Sequence, residues 1–104
     1  MVDLLADRQA EDIVLLDIRE VASFADYFVI ATALSGRQTR ALVDTLEKEL
    51  RAEGVRRGHE EGGDSGWMLL DYSSVIVHIF SAEEREHYAL EELWRHGKEV
   101  VRIQ

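Results

Sequence analysis

Cysteine and proline are both absent from the 104 residues. Without cysteine there are no disulfides and no thiolate chemistry, and the cell interior is the simpler compartment to expect. Without proline, glycine is the main punctuation, and there are only 7 glycines. Long apolar runs are missing too, since none approaches the roughly 18 residues that span a bilayer. The start, MVDLLADRQAEDI, carries acids early and lacks a basic-then-apolar order, so no secretory signal is expected. Positive charge is scarce. Lys and Arg number 12 against 21 Asp and Glu, for a net charge of −9. Direct, phosphate-driven nucleic-acid binding needs clustered Lys and Arg and is not expected; a basic protein is the natural partner. What remains is 46% apolar and 32% charged, the composition of one ordered globular domain able to bury a core without staples.

The charge is concentrated. Glu60, Glu61, Asp64, Asp71, Glu83, Glu84, Glu86, Glu91 and Glu92 face one cation, Arg85, so this stretch holds −8 of the −9. The same stretch contains Trp67, Tyr88 and Trp94. Large aromatics within a field of one sign suit a surface that meets a basic partner. The plainer alternative is a solvated acidic helix beside an ordinary core.

Read in order, residues 2–10 suggest one or two helical turns with Leu4 and Leu5 on the apolar side. Asp12–Arg19 and Asp26–Ala33 are apolar on both faces, as in central strands of a covered sheet. In the first, Ile13, Leu15 and Asp17 point one way and Val14, Leu16 and Ile18 the other. Ser35-Gly36-Arg37-Gln38 has the form of a capping box. Leu42, Val43, Leu46 and Leu50 then recur along one helical face, and Gly54 suits a left-handed cap. This strand–helix–strand order predicts a parallel crossover from Asp26–Ala33 to Val55–Glu60, a polar strand fit for an edge. Residues 61–66 read as a flexible loop. Trp67–Tyr72 and Ser74–Phe80 form an expected antiparallel hairpin, with Val75, Val77 and Ile79 on one face and Ile76, His78 and Phe80 on the other. Ser81-Ala82-Glu83-Glu84 is a second capping box, opening one helix that runs to Leu93-Trp94. Gly97 closes it, and Val100–Ile103 adds a short terminal strand. The fold class is α/β: one domain over 1–104, a mixed sheet of about five strands flanked by helices.

Catalytic signals are thin. His59, His78, His87 and His96 form no i, i+4 pair on a predicted helix, and no HExxH is present, so a zinc site is unsupported. His78, next to Phe80 in an apolar strand, reads as a core or interface histidine. Asp17 and Asp71 could in principle share a divalent ion, as a magnesium-dependent nucleotide transferase would require; strand-end aspartates more often accept turn or cap hydrogen bonds. Ser35-Gly36 lacks both GxxxxGK[ST] and GxGxxG, and its capping role explains it without a phosphate. Trp, Tyr and Arg are the residues that most often anchor interfaces, so Trp67, Tyr88, Trp94 and Arg85 lead the binding case.

The runs DYFVIATALSGRQTRAL, GWMLLDYSSVIVHIF and EEREHYALEELW closely resemble the ribosomal silencing factor (RsfS/Iojap) family, from about Glu11 to Trp94. The joint pattern W-x-L-x-D-Y, V-x-V-H-x-F and E-R-x-x-Y-x-L-E-x-L-W is specific, because no fold requirement alone demands it. The resemblance implies a small domain like the nucleotidyltransferase fold but without catalytic acids, no cofactor and no enzymatic activity. It implies docking on large-subunit ribosomal protein L-fourteen, which prevents the small subunit from joining and lowers translation when nutrients are scarce. Members are bacterial and cytoplasmic, with relatives in mitochondria and chloroplasts. Carried over by position, the partner-binding residues are Trp67, Leu69, Asp71, His78, Phe80, Arg85, Tyr88, Leu90, Glu91 and Trp94. Of these, Arg85, Tyr88 and Glu91 are expected to touch the partner, and Asp71 and His78 to be partly structural. The chain departs from the family in a reduced N-terminal helix, a short tail, and a hairpin turn, Tyr72-Ser73-Ser74, without the usual glycine. A homodimer of the free protein, mating its aromatic patches, is the remaining alternative.

Overall fold

A computed structural model describes residues 2–55, 58–62, 66–95 and 97–103, and of His59, Glu60, Glu61 and Leu93 the backbone. His96 and residues 63–65 of the loop expected at 61–66, Asp64 included, lie outside the described residues. The element order is α1 (Val2–Asp7), β1 (Glu11–Asp17), β2 (Tyr27–Ala33), α2 (Gly36–Ala52), β3 (His59–Glu61), β4 (Trp67–Asp71), β5 (Val75–Ser81), α3 (Ala82–Tyr88), α4 (Leu90–Leu93) and β6 (Lys98–Ile103). The strands form one mixed sheet in the order β3-β4-β5-β2-β1-β6. The expected strands and the C-terminal one together make six.

The expected crossover is corrected in its partner. β2 pairs in parallel with β5, in register from Tyr27↔Val75 to Ala33↔Ser81, while β3 lies at the sheet edge beside β4. The physical reason is solvation. VIVHIFS is buried through its centre and can sit between two strands, whereas HEE cannot lose water on both faces.

Local chemistry sets the element ends. Ser35 Oγ accepts from Gln38 N at 3.1 Å and caps α2. The Gln38 amide then joins two helices: its Oε1 accepts from Leu34 N, and its Nε2 donates to the Arg8 and Gln9 carbonyls at the end of α1. Gly54 at φ 84° ends α2, with Val55 N donating back to Leu50 O at 2.8 Å. In the hairpin, Ser73 itself takes φ 74°, supported by Asp71 Oδ1 accepting from Ser73 N at 2.7 Å. That bond serves the turn where a glycine would need none.

The sheet has two unequal faces. α1 and α2 cover the first, where Leu5, Leu42, Val43, Leu46 and Leu50 pack against Ile13, Val29, Ala31, Met68, Leu70, Val77 and Ile79. The second carries Val14, Leu16, Ile18, Phe28, Ile30, Phe80 and Leu90. Here the single expected helix is corrected to two short ones. Ala89 adopts the left-handed conformation, φ 45° and ψ 48°, and separates α3 from α4. A non-glycine residue there costs about 1–2 kcal/mol, so packing must hold the kink in place. Ala89→Gly should therefore raise the stability by about 1 kcal/mol, read as a melting-temperature increase of about 4–8 °C. An unchanged or lowered melting temperature would show that the kink carries no strain.

Candidate functional site

Strand pairing places most of the residues singled out by the sequence on the second face. Trp67, Leu69 and Asp71 on β4 stand opposite Phe80, His78 and Ile76 on β5. Next to them on β2, Ile30 pairs with His78 and Phe28 with Ile76. Burial differs sharply between the two sides of the same strands. Met68, Leu70, Val77 and Ile79 are buried on the first face, whereas Leu69, Asp71 and Ile76 remain half-buried on the second. The helices α3 and α4 roof only part of this face.

A band of rings borders the open part. Phe24 packs against Trp94 at 5.7 Å between centroids, and Trp94 edge-on against Phe28 at 5.1 Å. Phe28 meets His78 at 4.7 Å, His78 meets Trp67 at 5.9 Å, and Trp67 meets Phe80 at 5.1 Å and Tyr88 at 4.5 Å. Tyr88 is 43% exposed and Phe24 57%, so the band ends in an open ring on each side. Trp67 Nε1 donates to His78 Nδ1 at 3.2 Å, which fixes the histidine as neutral with its proton on Nε2. His78 is 3% exposed, and burial lowers its pKa to about 4.

Arg85 corrects an expectation. It is no free cation of an acidic surface but a buried brace, 8% exposed. Its Nε donates to Glu91 Oε1 at 2.9 Å, and its Nη1 donates to Thr32 Oγ1 at 2.9 Å and to the Asp12 carbonyl at 2.6 Å. Arg102 on β6 extends the network, pairing with Asp12 at 2.7 Å and Glu91 at 3.4 Å. Two backbone irregularities make this possible. A bulge in β1 between Glu11 and Val14 turns Asp12, at φ 45°, towards both arginines. The kink at Ala89 brings Glu91 round to Arg85; residues six apart on a continuous helix point away from one another. Glu91 thus spends both carboxylate oxygens within the molecule, and the Arg85 guanidinium beside it, foremost among several causes, lowers its pKa.

The ten residues therefore divide. Phe80, His78, Leu90 and Arg85 are buried and shape the face; Glu91 braces it, and Asp71 holds the hairpin turn. Trp67, Leu69, Trp94 and above all Tyr88 present surface. Asp12, Thr32, Phe24 and Arg102 were not legible as parts of the site; only the tertiary fold brings them there. Asp17 and Asp71 cannot share an ion. They stand on β1 and β4 and point to opposite faces, about 14 Å apart from strand spacing alone. Asp17 is moreover held by Arg19 through both oxygens. Among the described residues no group of three His, Asp or Glu side chains is arranged for a metal ion.

A mixed sheet with one face under α1 and α2, one half-open aromatic face and a charged brace defines a small α/β domain. The chain belongs to the family described as ribosomal silencing factor during starvation, whose model matches residues 1–104. It is 37% identical over 89 residues to the ribosomal silencing factor RsfS of Bacillus subtilis, spanning 85% of this chain and 75% of that one. The RsfS of Haemophilus influenzae is 36% identical, with 90% and 93% covered. A mouse protein named mitochondrial assembly of ribosomal large subunit protein 1 is 34% identical, over 90% of this chain and 43% of its own length. A crystal structure from Chromobacterium violaceum superposes with a TM-score of 0.86 at 30% identity, covering 99% of this chain and 86% of that one.

The buried neutral His78 sets a pH dependence. The unfolded chain takes up a proton near 6.5, the folded one only near 4, so stability is full above about 6.5 and falls as the pH drops towards 4. Replacing it in His78→Gln should flatten the melting temperature between pH 6.5 and 4.5, whatever the cost at neutral pH. Parallel curves for the two proteins would show that His78 does not govern this range.

Proposed function

We propose that this protein docks on the large ribosomal subunit through protein L-fourteen and blocks joining of the small subunit, repressing translation when nutrients are limiting. The observation that carries the reading is the half-open second face: apolar floor, aromatic border and acidic surroundings. Membership of the silencing-factor family supplies the ribosomal setting. Glu83, Glu86 and Glu92 are exposed on the helices above this face and supply a field that steers a basic ribosomal protein into contact. A contact of standard size buries on the order of 1,600 Å² in total, half of it from this face. Blocking the small subunit then requires no chemistry, only a dwell time longer than the interval between subunit encounters. The action is non-enzymatic and belongs in the cytoplasm.

Purified protein should sediment with large subunits and reduce their assembly with small subunits in a gradient. Glu91 is a poor place to probe the contact, because its reversal would break the Arg85 brace. Tyr88→Ala combined with Glu83→Lys is the better variant, since both side chains are exposed. It should weaken binding about tenfold or more, as loss of an interface anchor does, while the melting curve stays intact. Wild-type binding by this variant would place the contact elsewhere. Binding that is undiminished on large subunits lacking L-fourteen would exclude that partner.

A further inference from the structure

We propose that Phe24, in the loop joining β1 to β2, is a second anchor of the docking face and receives an arginine or lysine side chain of the basic partner. This deepens the docking reading above and rests on it. Phe24 is 57% exposed, yet its ring is held on two sides, by Trp94 at 5.7 Å and by Phe28 at 6.0 Å. An exposed ring already fixed in place loses little freedom on binding, which is the property of an interface anchor. It continues the band that ends in Tyr88 at the other side, so the two rings border the same half-open strip of Leu69 and Ile76. Val21 in the same loop is exposed as well.

Charge selects the occupant. The loop's cation, Arg19, is folded back onto Asp17 and over the ring of Tyr27, on the first face of the sheet. Glu20 and Asp26, on either side of Phe24 in sequence, are exposed, and the charge of Asp26 also acts on Arg19. An aromatic ring with exposed carboxylates in its own loop favours a cation bearing an apolar stem. Such a stem covers the ring while its head faces the acids. The exposed Glu83 and Glu86 on α3, near Tyr88, and Glu92 on α4, near Trp94, present the same preference, so one basic protein surface satisfies them all.

The test measures capture of purified large subunits by Phe24→Ala, Phe24→Leu and Leu34→Ala beside wild type and Tyr88→Ala, with melting curves as a folding control. Leu34 is 69% exposed at the far end of β2 and serves as an apolar position outside the band. Phe24→Ala should weaken binding about tenfold or more. Phe24→Leu, which keeps bulk but loses the ring face, should also weaken it, and Leu34→Ala should leave it unchanged. If Tyr88→Ala weakens binding and Phe24→Ala does not, the second anchor is refuted and the docking reading stands. Wild-type binding by Phe24→Leu refutes the cation as occupant. Equal losses in Phe24→Ala and Leu34→Ala refute a localised anchor. If Phe24→Ala abolishes self-association in sedimentation and spares subunit capture, the patch meets a second copy instead. No capture of subunits by the wild-type protein overturns both readings together.

Discussion

The guanidinium of Arg85 is the point on which the second face depends. It is buried among Glu91, Thr32 and the Asp12 carbonyl, and so fastens two short helices to the centre of the sheet. Neither helix is long enough to be stable alone. A buried ion pair is weak evidence for stability as such, but removing one partner leaves a charge without compensation. Its contribution here is geometric. The brace sets where the roof ends, and the roof's end sets how much of β4 and β5 stays open.

The unequal faces follow from the same arrangement. A 17-residue helix with four buried apolar positions covers the first face except for an apolar cleft of about 420 Å³ among Val2, Leu15, Tyr27, Val29, Val75 and Ile103, whereas α3 and α4 have 7 and 4 residues. What the short pair cannot cover is bordered by rings instead of being left as bare aliphatic surface. Rings suit the task because they provide large, stiff contact area while their edges and faces discriminate charge. The Trp67–His78 hydrogen bond keeps the middle of the band neutral and fixed in orientation.

Much of this was legible in the chain. Apolar alternation gave the faces of β1 and β5 correctly, and both serine caps are as read, at Ser35 and Ser81. The mixed sheet and the family itself were also readable, the family because its aromatic pattern exceeds what packing demands. The strand neighbours were less accessible. Chain order alone favours β3 as the parallel partner of β2; the polarity of HEE against the apolar VIVHIFS is what reverses it, once both flanks of the central position must be dry. The kink at Ala89 was invisible because alanine ordinarily favours a continuous helix, and tertiary bonds override that preference. Arg85 misled for a related reason: in sequence its neighbours are acids on the same helix, while its true partners include Asp12, 73 residues away. Phe24 gave no signal, since a loop has no periodicity against which a ring stands out.

The tie between Asp12 and Arg102 spans 90 residues, close to the largest sequence separation that this chain permits. Contacts of such range are slow to form, because the intervening chain must be ordered before they repay its entropy. During synthesis, a polypeptide halted between Trp94 and Arg102 would already carry every ring of the band but not the outer strand that completes their support. Such a nascent fragment would lack a finished second face even though each of its aromatic residues had been made. The second face is therefore completed late and in one step, by the last strand of the sheet to leave synthesis.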